Sequence, residues 1–377
     1  MGFGREQLAG VNRLVVKVGT SMLTHETGKL NISRIETFVR DIADLANSGR
    51  QVILVSSGAV GAGLGKLGLK EKPKTIPEKQ AAAAVGQGLL MHIYEKLFAE
   101  YGYVVAQVLL TREDMSDRRR YLNARNAFFK LLNFGVIPIV NENDTIAIEE
   151  IRLGDNDTLS ALVAGVADAD LLVLLSDIEG LFTANPKEDK DARLIEMVTE
   201  ITPEVERLAG GAGSNMGTGG MITKLQAARI ANTSGIPMII ADGSKHGLLQ
   251  DIINCRTVGT LFVPAGDHKF HTKKRWLAFS SDIYGTITVD KGACQAIIHQ
   301  GKSLLPIGII SVEGYFQPGN VVRISSPEGE EFARGITNYS SEDLNMIKGN
   351  NSNNIEQILG YKDYDEVIHR DNLALRG

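Results

Sequence analysis

Two lysines of this sequence stand where a positive charge would serve an anionic ligand. Lys17 lies in the apolar run 14–18, where an ammonium group is costly unless its charge meets a partner. Lys224 lies one turn into a predicted helix that follows the glycine-rich loop 217–220. Free N–H groups and the positive end of a helix dipole favour a polyphosphate at such a start. A lysine that reaches solvent and a flexible loop are the plainer alternatives.

Polar clusters follow other apolar runs of the chain. The run 136–140 turns abruptly into Asn-Glu-Asn-Asp-Thr, with Asn141 and Asp144, and a second cluster at 154–158 precedes a predicted helix. Carboxylates in these clusters can hold an ammonium group, and the amides can donate to carboxylates. An amino acid with one amine and two carboxylates needs such a mixed set. A helix cap is the alternative interpretation of the cluster 154–158.

Two further strand ends carry small polar residues. Ser57 and Gly58 follow the apolar run 52–55 and suit a carboxylate or phosphate, although a capped helix start has the same pattern. Ser176 and Asp177 follow the run 171–175 in a loop that could wrap a purine and its ribose, or form a plain turn. The stretch 63–68 matches the dinucleotide glycine pattern but does not directly follow a strand, so we discount it.

The elements that position these residues predict an α/β fold. Apolar strand-like runs alternate with helical patterns, which indicates an open, mostly parallel sheet sandwiched by helices. In such sheets ligands bind beyond the carboxyl ends of the strands. The predicted strands are 14–18, 52–55, 104–110, 136–140, 171–175 and 236–241, and the predicted helices are 31–46, 77–101, 118–132, 156–167 and 219–233.

The pattern changes near residue 270, which predicts a second domain. We expect a catalytic domain over 1–265, a basic linker over 266–275 and a small β-rich C-terminal domain over 276–377. The predicted elements of that domain are short strands at 285–289, 307–311, 321–324 and 332–336, one helix at 291–300, and a last helical piece after the loop 350–354.

Composition narrows the possible functions. A net charge of −5 and two cysteines, Cys255 and Cys294, in no metal-ligand spacing predict a cytoplasmic protein with free thiols. No apolar run approaches the ~18 residues of a membrane span, and the N-terminus lacks a signal-peptide core. From Trp276 onward the chain has 8 Lys and Arg against 13 Asp and Glu, the wrong sign for binding nucleic acid.

Several of these segments resemble a known family. The stretches 17–21, 140–144, 154–157, 217–221 and 259–262 resemble signature segments of the amino acid kinase family, and the second domain, including 303–309, resembles a PUA domain. The resemblance implies ATP-dependent phosphorylation of the γ-carboxylate of L-glutamate to L-glutamyl 5-phosphate, the first step of proline biosynthesis. ATP would carry Mg²⁺, with no metal ligand from the protein. Ser176 stands where the family commonly has threonine, and Asn185 where it commonly has aspartate.

The resemblance also implies roles for individual residues. The implied catalytic residues are Lys17, Lys224 and Asp157. The implied ATP contacts are Lys17, Ser176, Asp177, Thr218, Gly219, Gly220, Met221, Ile222, Thr223 and Lys224. The implied glutamate contacts are Ser57, Asp144 and Asn156, with Asn141 and Asp155 close by.

Partners follow from the same resemblance. We expect proline as a feedback inhibitor, a glutamyl phosphate reductase as the pathway partner, a homo-oligomer, and no membrane or nucleic acid. The alternatives are another acceptor on the same fold, namely aspartate, acetylglutamate, carbamate or a nucleotide, or RNA binding through the PUA-like domain. The clusters around Asn141 and Asp157 favour a free α-amine, which disfavours acetylglutamate and nucleotides.

Overall fold

A computed structural model describes residues 3–25, 29–69, 73–111, 114–115, 118–146, 156–186, 188–209, 220–264 and 283–375. The chain divides into two compact units, Met1–Lys269 and Phe270–Gly377, and each is described by itself. The predicted linker 266–275 lies outside the described residues, as do the predicted site residues Asp155, Thr218 and Gly219.

The first unit contains an eight-stranded sheet in the order β3-β4-β2-β1-β5-β7-β8-β6. All its strand pairs are parallel except β7 with β8, which are antiparallel. Its strands are β1 (Arg13–Val18), β2 (Gln51–Ser56), β3 (Val105–Leu110), β4 (Ile137–Glu142), β5 (Leu171–Ser176), β6 (Met197–Val198), β7 (Met238–Asp242) and β8 (Thr260–Phe262).

Helices cover both faces of this sheet. The helices of the first unit are α1 (Thr20–Leu23), α2 (Ile32–Asn47), α3 (Ala59–Leu67), α4 (Ile76–Glu100), α5 (Arg118–Asn133), α6 (Asn156–Val166), α7 (Pro203–Ala209), α8 (Met221–Thr233) and α9 (Leu248–Ile253), and a 3₁₀ helix spans Arg5–Gly10. Side chains of β1 alternate between two cores: Val16 packs with α2, α3, α4 and α9, and Val15 packs with α5, α6 and α8. Burial on both faces explains the continuous apolar runs.

Helices α3 and α4 pack backbone against backbone. A Cβ added to Gly63 would lie 1.8 Å from the carbonyl oxygen of Ala82, and one added to Gly86 would lie 1.8 Å from that of Ala59. Glycine is therefore required at both positions for this close approach. The glycine pattern at 63–68 belongs to this helix packing, because it starts inside α3 and not in a strand-to-helix turn.

The second unit is a small β-rich domain. Its sheet has the order β10-β9-β11-β12-β13, in which only β9 and β11 pair in parallel. The elements are β9 (Gly285–Val289), α10 (Lys291–Gln300), β10 (Ile309–Gly314), β11 (Val321–Ser325), β12 (Glu331–Ile336), α11 (Ser341–Ile347), α12 (Ile355–Leu359) and β13 (Leu373–Leu375), with 3₁₀ helices at Pro306–Gly308, Ser352–Asn354 and Arg370–Asn372. Ile287, Ile324, Leu344 and Val367 lie in its core.

The predicted fold class, an open and mostly parallel sheet between helices plus a β-rich C-terminal domain, is confirmed. Two predicted strand starts were wrong. The strand predicted at 236–241 begins at Met238, and the one predicted at 307–311 begins at Ile309, because Pro306–Gly308 forms a 3₁₀ turn. Within the described ranges, no helix combines the length and the apolar character that crossing a membrane requires.

Candidate active site

The carboxyl ends of β1, β2, β4 and β5 lie along one edge of the sheet, because these strands are parallel neighbours. Lys17 is the penultimate residue of β1, and Ser57 directly follows β2. Asn141 is the penultimate residue of β4, and Ser176 ends β5. The sheet therefore brings residues from four separate segments to the edge where open α/β sheets bind ligands.

Asp157 lies between two ammonium groups at this edge. Lys17 Nζ is 2.7 Å from Asp157 Oδ1, and Lys224 Nζ is 3.2 Å from Asp157 Oδ2. The hydroxyl of Thr223 donates to the same Oδ2 at 2.8 Å. The exposed fractions are only 7% for Lys17, 6% for Lys224 and 1% for Asp157. Two buried cations share one carboxylate, an arrangement that suits a further anion.

The protonation state of Asp157 follows from these neighbours. Burial by itself raises the pKa of this carboxyl, but the charges of Lys17 and Lys224 and the hydrogen bond from Thr223 lower the pKa by more. The net result is a pKa below the ordinary value, so Asp157 is ionised at neutral pH. The two lysines and Asp157 form a charged group to which Thr223 donates, and we call these four residues the ionic cluster (Lys17, Asp157, Thr223 and Lys224).

Helix α8 supplies Thr223 and Lys224 from its first turn. The helix begins after Gly220, whose position has no side-chain cap. The first backbone N–H groups of a helix have no partner within the helix, so the start of α8 can donate to a phosphate. Met221 is half-buried there, whereas Ile222 is 54% exposed, which leaves its side chain available for a ligand.

A second, uncharged cluster lies next to the ionic cluster, because Asn156 directly precedes Asp157 at the start of α6. Asn156 Nδ2 is 3.0 Å from each of three acceptors: the carbonyl oxygen of Ser56, the hydroxyl oxygen of Ser57 and Asn141 Oδ1. The other side-chain atom, Asn156 Oδ1, is buried and finds no hydrogen-bond partner among the residues that the structure describes. A buried acceptor without a partner is costly, so it marks a position for a ligand donor.

Sequence analysis did not identify two residues that contact this second cluster. Asn141 Nδ2 donates to Gln87 Oε1 at 2.8 Å, and the hydroxyls of Tyr94 and Ser56 form a 2.8 Å hydrogen bond. Gln87 and Tyr94 both belong to α4, and they lie two turns apart on the same face of that helix. We call Gln87, Asn141, Asn156 and Ser57 the amide cluster. The isolated polar Gln87 in an Ala- and Gly-rich stretch was the available signal.

Asp144, Ser176 and Asp177 follow or end strands at the same edge. Asp144 lies two residues beyond β4 and is half-buried, and burial raises the pKa of its carboxyl to about 6. Ser176 donates its hydroxyl to Asp177 Oδ1 at 3.1 Å, and Asp177 is exposed. Ser57 does not cap α3, because Gly58 is the N-cap residue and its φ of 86° requires glycine. The Ser57 hydroxyl faces Asn156 instead.

Comparison with known proteins agrees with this geometry. A sequence model of the amino acid kinase family matches residues 12–242. The chain belongs to the amino acid kinase family. A model of the PUA domain matches residues 285–359, within the second unit. The predicted family, the predicted kinase activity with ATP as donor, and the predicted PUA domain are thereby confirmed.

Curated members of the amino acid kinase family resemble this chain over nearly its whole length. The glutamate 5-kinase of Moorella thermoacetica is 60% identical, over 99% of this chain and 98% of the relative. That of Carboxydothermus hydrogenoformans is 56% identical, over 98% and 99% of the two chains. The glutamate 5-kinase of Geobacter sulfurreducens is 50% identical, over 98% of each chain.

Proposed function

We propose that this amino acid kinase transfers the γ-phosphoryl group of ATP to the γ-carboxylate of L-glutamate, the first step of proline biosynthesis. The observation that carries this assignment is the convergence of Lys17 and Lys224 on Asp157, one residue from the unpartnered oxygen of Asn156. A cationic site for phosphates thus adjoins a polar site for an amino acid. The relatives, which share half or more of their residues with this chain, carry the name glutamate 5-kinase.

The reaction requires positioning and charge neutralisation more than proton transfer. A glutamate γ-carboxylate has a reference pKa of about 4.3, so it is ionised and nucleophilic at neutral pH without a general base. A γ-carboxylate oxygen attacks the γ-phosphorus in line, the bond from phosphorus to the bridging oxygen breaks, and ADP leaves with glutamyl 5-phosphate as the product. Lys17 and Lys224 neutralise the negative charge that spreads over the transferred group.

Asp157 acts in this mechanism as the group that holds the two lysines. Its oxygens contact Lys17, Lys224 and Thr223, so they are engaged before substrates arrive. An engaged carboxylate is a poor ligand for Mg²⁺, which prefers several free oxygens. Among the described residues no group of three or more His, Cys, Asp or Glu side chains is arranged to hold a metal ion. We therefore expect Mg²⁺ to enter on the phosphates of ATP and to neutralise part of their charge.

The nucleotide contacts extend along the same edge of the sheet. The uncapped start of α8, with Gly220, Met221 and Ile222, donates N–H groups to the phosphates together with Thr218 and Gly219. Ser176 and Asp177 contact the nucleoside end of ATP. Thr223, in the first turn of α8, donates its hydroxyl to the Asp157 carboxylate.

Glutamate binds at the amide cluster. The α-ammonium group donates to the free Asn156 Oδ1 and is balanced by the ionised carboxylate of Asp144, with Asp155 close by. Ser57 and Asn141 complete the polar wall, since both already contact Asn156. A free α-amine is therefore part of what the site recognises.

An acceptor panel tests the assignment. Purified enzyme, MgATP and each of L-glutamate, L-aspartate, N-acetyl-L-glutamate, carbamate and UMP are assayed for ADP release. We expect kcat/KM for glutamate to exceed that for every other acceptor by at least about tenfold, a difference of about 1.4 kcal/mol. A higher kcat/KM for N-acetylglutamate than for glutamate would contradict the role of the free amine. A higher kcat/KM for UMP would contradict the proposal of an amino acid site.

The remaining expectations concern regulation and context. Proline keeps the α-carboxylate and the amine of glutamate in cyclised form, so we propose that it inhibits by occupying the amide cluster. Competitive inhibition against glutamate supports this, and strictly noncompetitive inhibition contradicts it.

A glutamyl phosphate reductase consumes the unstable acyl phosphate. We also propose a homo-oligomer, a cytoplasmic location, and a domain division at 1–265, 266–275 and 276–377.

A further inference from the structure

Helix α4 reaches the glutamate site from the opposite face of the sheet to α6. It belongs to the core that contains α2, α3 and α9, whereas α6 and α8 belong to the other core. Two of its side chains contact strand ends: Gln87 contacts Asn141 of β4, and Tyr94 contacts Ser56 of β2. The amide cluster is therefore the place where helices from both faces meet over the ends of the central strands.

Backbone groups determine which way the oxygen and the nitrogen of the Asn141 and Asn156 amides point. The N–H of Glu142 can only donate, and it donates to Asn141 Oδ1 at 2.9 Å. The carbonyl of Ser56 can only accept, and it accepts from Asn156 Nδ2 at 3.0 Å. The amino group of Asn141 must therefore face Gln87, which offers Oε1 as the acceptor. The remaining acceptor of the cluster is Asn156 Oδ1, which is buried.

In this orientation of Asn141, Gln87 Oε1 is the acceptor for the Asn141 amino group. Asn141 is only 2% exposed, so its amino group loses a partner that water does not readily replace if Gln87 is removed. A half-turn of the Asn141 amide would then place its amino group against two donors, Glu142 N–H and Asn156 Nδ2. If the amide turned in this way, Asn156 would keep only two of its three acceptors and would be held less firmly.

Extending the proposed function, in which Asn156 contacts glutamate, we propose that Gln87 is a positioning residue for the α-ammonium group of the substrate. It acts through Asn141, which holds Asn156 so that Asn156 Oδ1 faces the ammonium group. The hydrogen bond of Gln87 is to the amide cluster, so we expect its removal to affect glutamate more than ATP. The consequence is a selective effect on glutamate binding.

The test compares three variants by steady-state kinetics with varied glutamate and varied ATP. Gln87→Met removes the acceptor with little change in volume, Gln87→Glu keeps an acceptor oxygen, and Gln250→Met is a control on the exposed side of α9. We expect Gln87→Met to raise the KM for glutamate about tenfold, as for a lost buried hydrogen bond, and to leave the KM for ATP within about twofold. Gln87→Glu should recover most of this loss, and Gln250→Met should behave like the parent enzyme.

A double-mutant cycle shows whether Gln87 acts through Asn156. Asn156→Ala by itself should raise the KM for glutamate, and adding Gln87→Met to it should raise the KM no further, because the group being positioned is gone. A parental glutamate KM in Gln87→Met, an equal rise in both KM values, a Gln87→Glu variant as impaired as Gln87→Met, or additive effects in the cycle would each overturn the inference.

The same cycle separates this inference from the proposed glutamate site. If Asn156→Ala has a parental KM for glutamate, the proposed glutamate site is wrong. The proposed role of Gln87 is then wrong as well, because it depends on Asn156. If Asn156→Ala is impaired while Gln87→Met is not, the site stands and only the inference about Gln87 is overturned. Should Gln87→Met fail to fold, Gln87→Ala, which also removes the acceptor, is measured alone and with Asn156→Ala, and additive effects in that cycle also contradict action through Asn156.

Discussion

The ionic cluster and the amide cluster are neighbours that differ in the charge of their side chains. The first holds two buried lysines on one carboxylate, and the second holds uncharged groups joined by hydrogen bonds. The two meet at Asn156 and Asp157, consecutive residues at the start of α6. A helix start therefore joins the proposed phosphate site to the proposed amino acid site.

We infer that binding and catalysis are divided between the two clusters. Buried charges without full compensation act strongly on a developing negative charge, because the local dielectric is low. Uncharged amides act weakly on charge but enforce direction, since each group is a donor or an acceptor. Changes in the ionic cluster should therefore lower kcat, and changes in the amide cluster should raise the KM for glutamate.

The largest expected effect comes from removing the shared carboxylate. Asp157→Asn leaves Lys17 and Lys224 buried without a counter-charge, and breaking such a buried pair costs about 3–5 kcal/mol of folding free energy. Urea unfolding of this variant measures the loss. Asp251→Asn, which removes a surface pair with Arg256, is the control and should cost at most about 1 kcal/mol. Equal stability of the two variants would show that the ionic cluster is not a charged unit.

A smaller effect is expected from the titration of Asp144. Burial raises its pKa to about 6, so the carboxylate takes up a proton as the pH falls through 6 and loses the charge that we propose for binding the ammonium group of glutamate. We expect kcat/KM for glutamate to fall about tenfold between pH 7 and pH 5. Asp144→Asn should have a lower kcat/KM that lacks this part of the pH dependence. An unchanged profile in that variant would assign the titration to another group or to the substrates.

The smallest expected effect comes from Tyr94, the second α4 side chain that contacts a strand end. Tyr94→Phe removes the hydroxyl that bonds to Ser56 and leaves the ring, so we expect a loss of about 1 kcal/mol in unfolding free energy. Ser56 offers its backbone carbonyl to Asn156, not its hydroxyl, so the KM for glutamate should change less than in Gln87→Met. Larger damage to glutamate binding by Tyr94→Phe would make the strand end, and not the Asn141 amide, the element that α4 controls.

Local sequence patterns were sufficient for most of the sheet and for part of the site. The central strands β1, β2, β4 and β5 are mostly apolar, since both faces are buried, and Ser57, Asn141 and Ser176 lie at or directly after the ends of these strands. The short strand β6 and the antiparallel β8 have two and three residues, too few for a periodic signal. Their pairing depends on contacts far apart in the chain.

The contacts of Gln87 and Tyr94 with the strand ends could not be predicted from sequence patterns, for a related reason. The helix itself was predicted, but the direction of Gln87 and Tyr94 depends on how α4 crosses α3 at Gly63 and Gly86. That crossing requires the backbones of two helices to touch, which a one-dimensional pattern does not encode. The joining of Lys17 to Lys224 through Asp157 likewise required the packing of α6 against α8.

The most direct measurement of the central claim is the kcat of Lys224→Met in a folded enzyme. One lysine and one carboxylate remain buried in this variant, so we expect nearly parental stability by urea unfolding and a kcat lower by roughly 10²–10³, the cost of about 3–4 kcal/mol of transition-state stabilisation. Lys291→Met removes an exposed lysine from the first turn of α10 and should have parental kcat. A folded Lys224→Met enzyme with a kcat close to that of Lys291→Met would contradict the account.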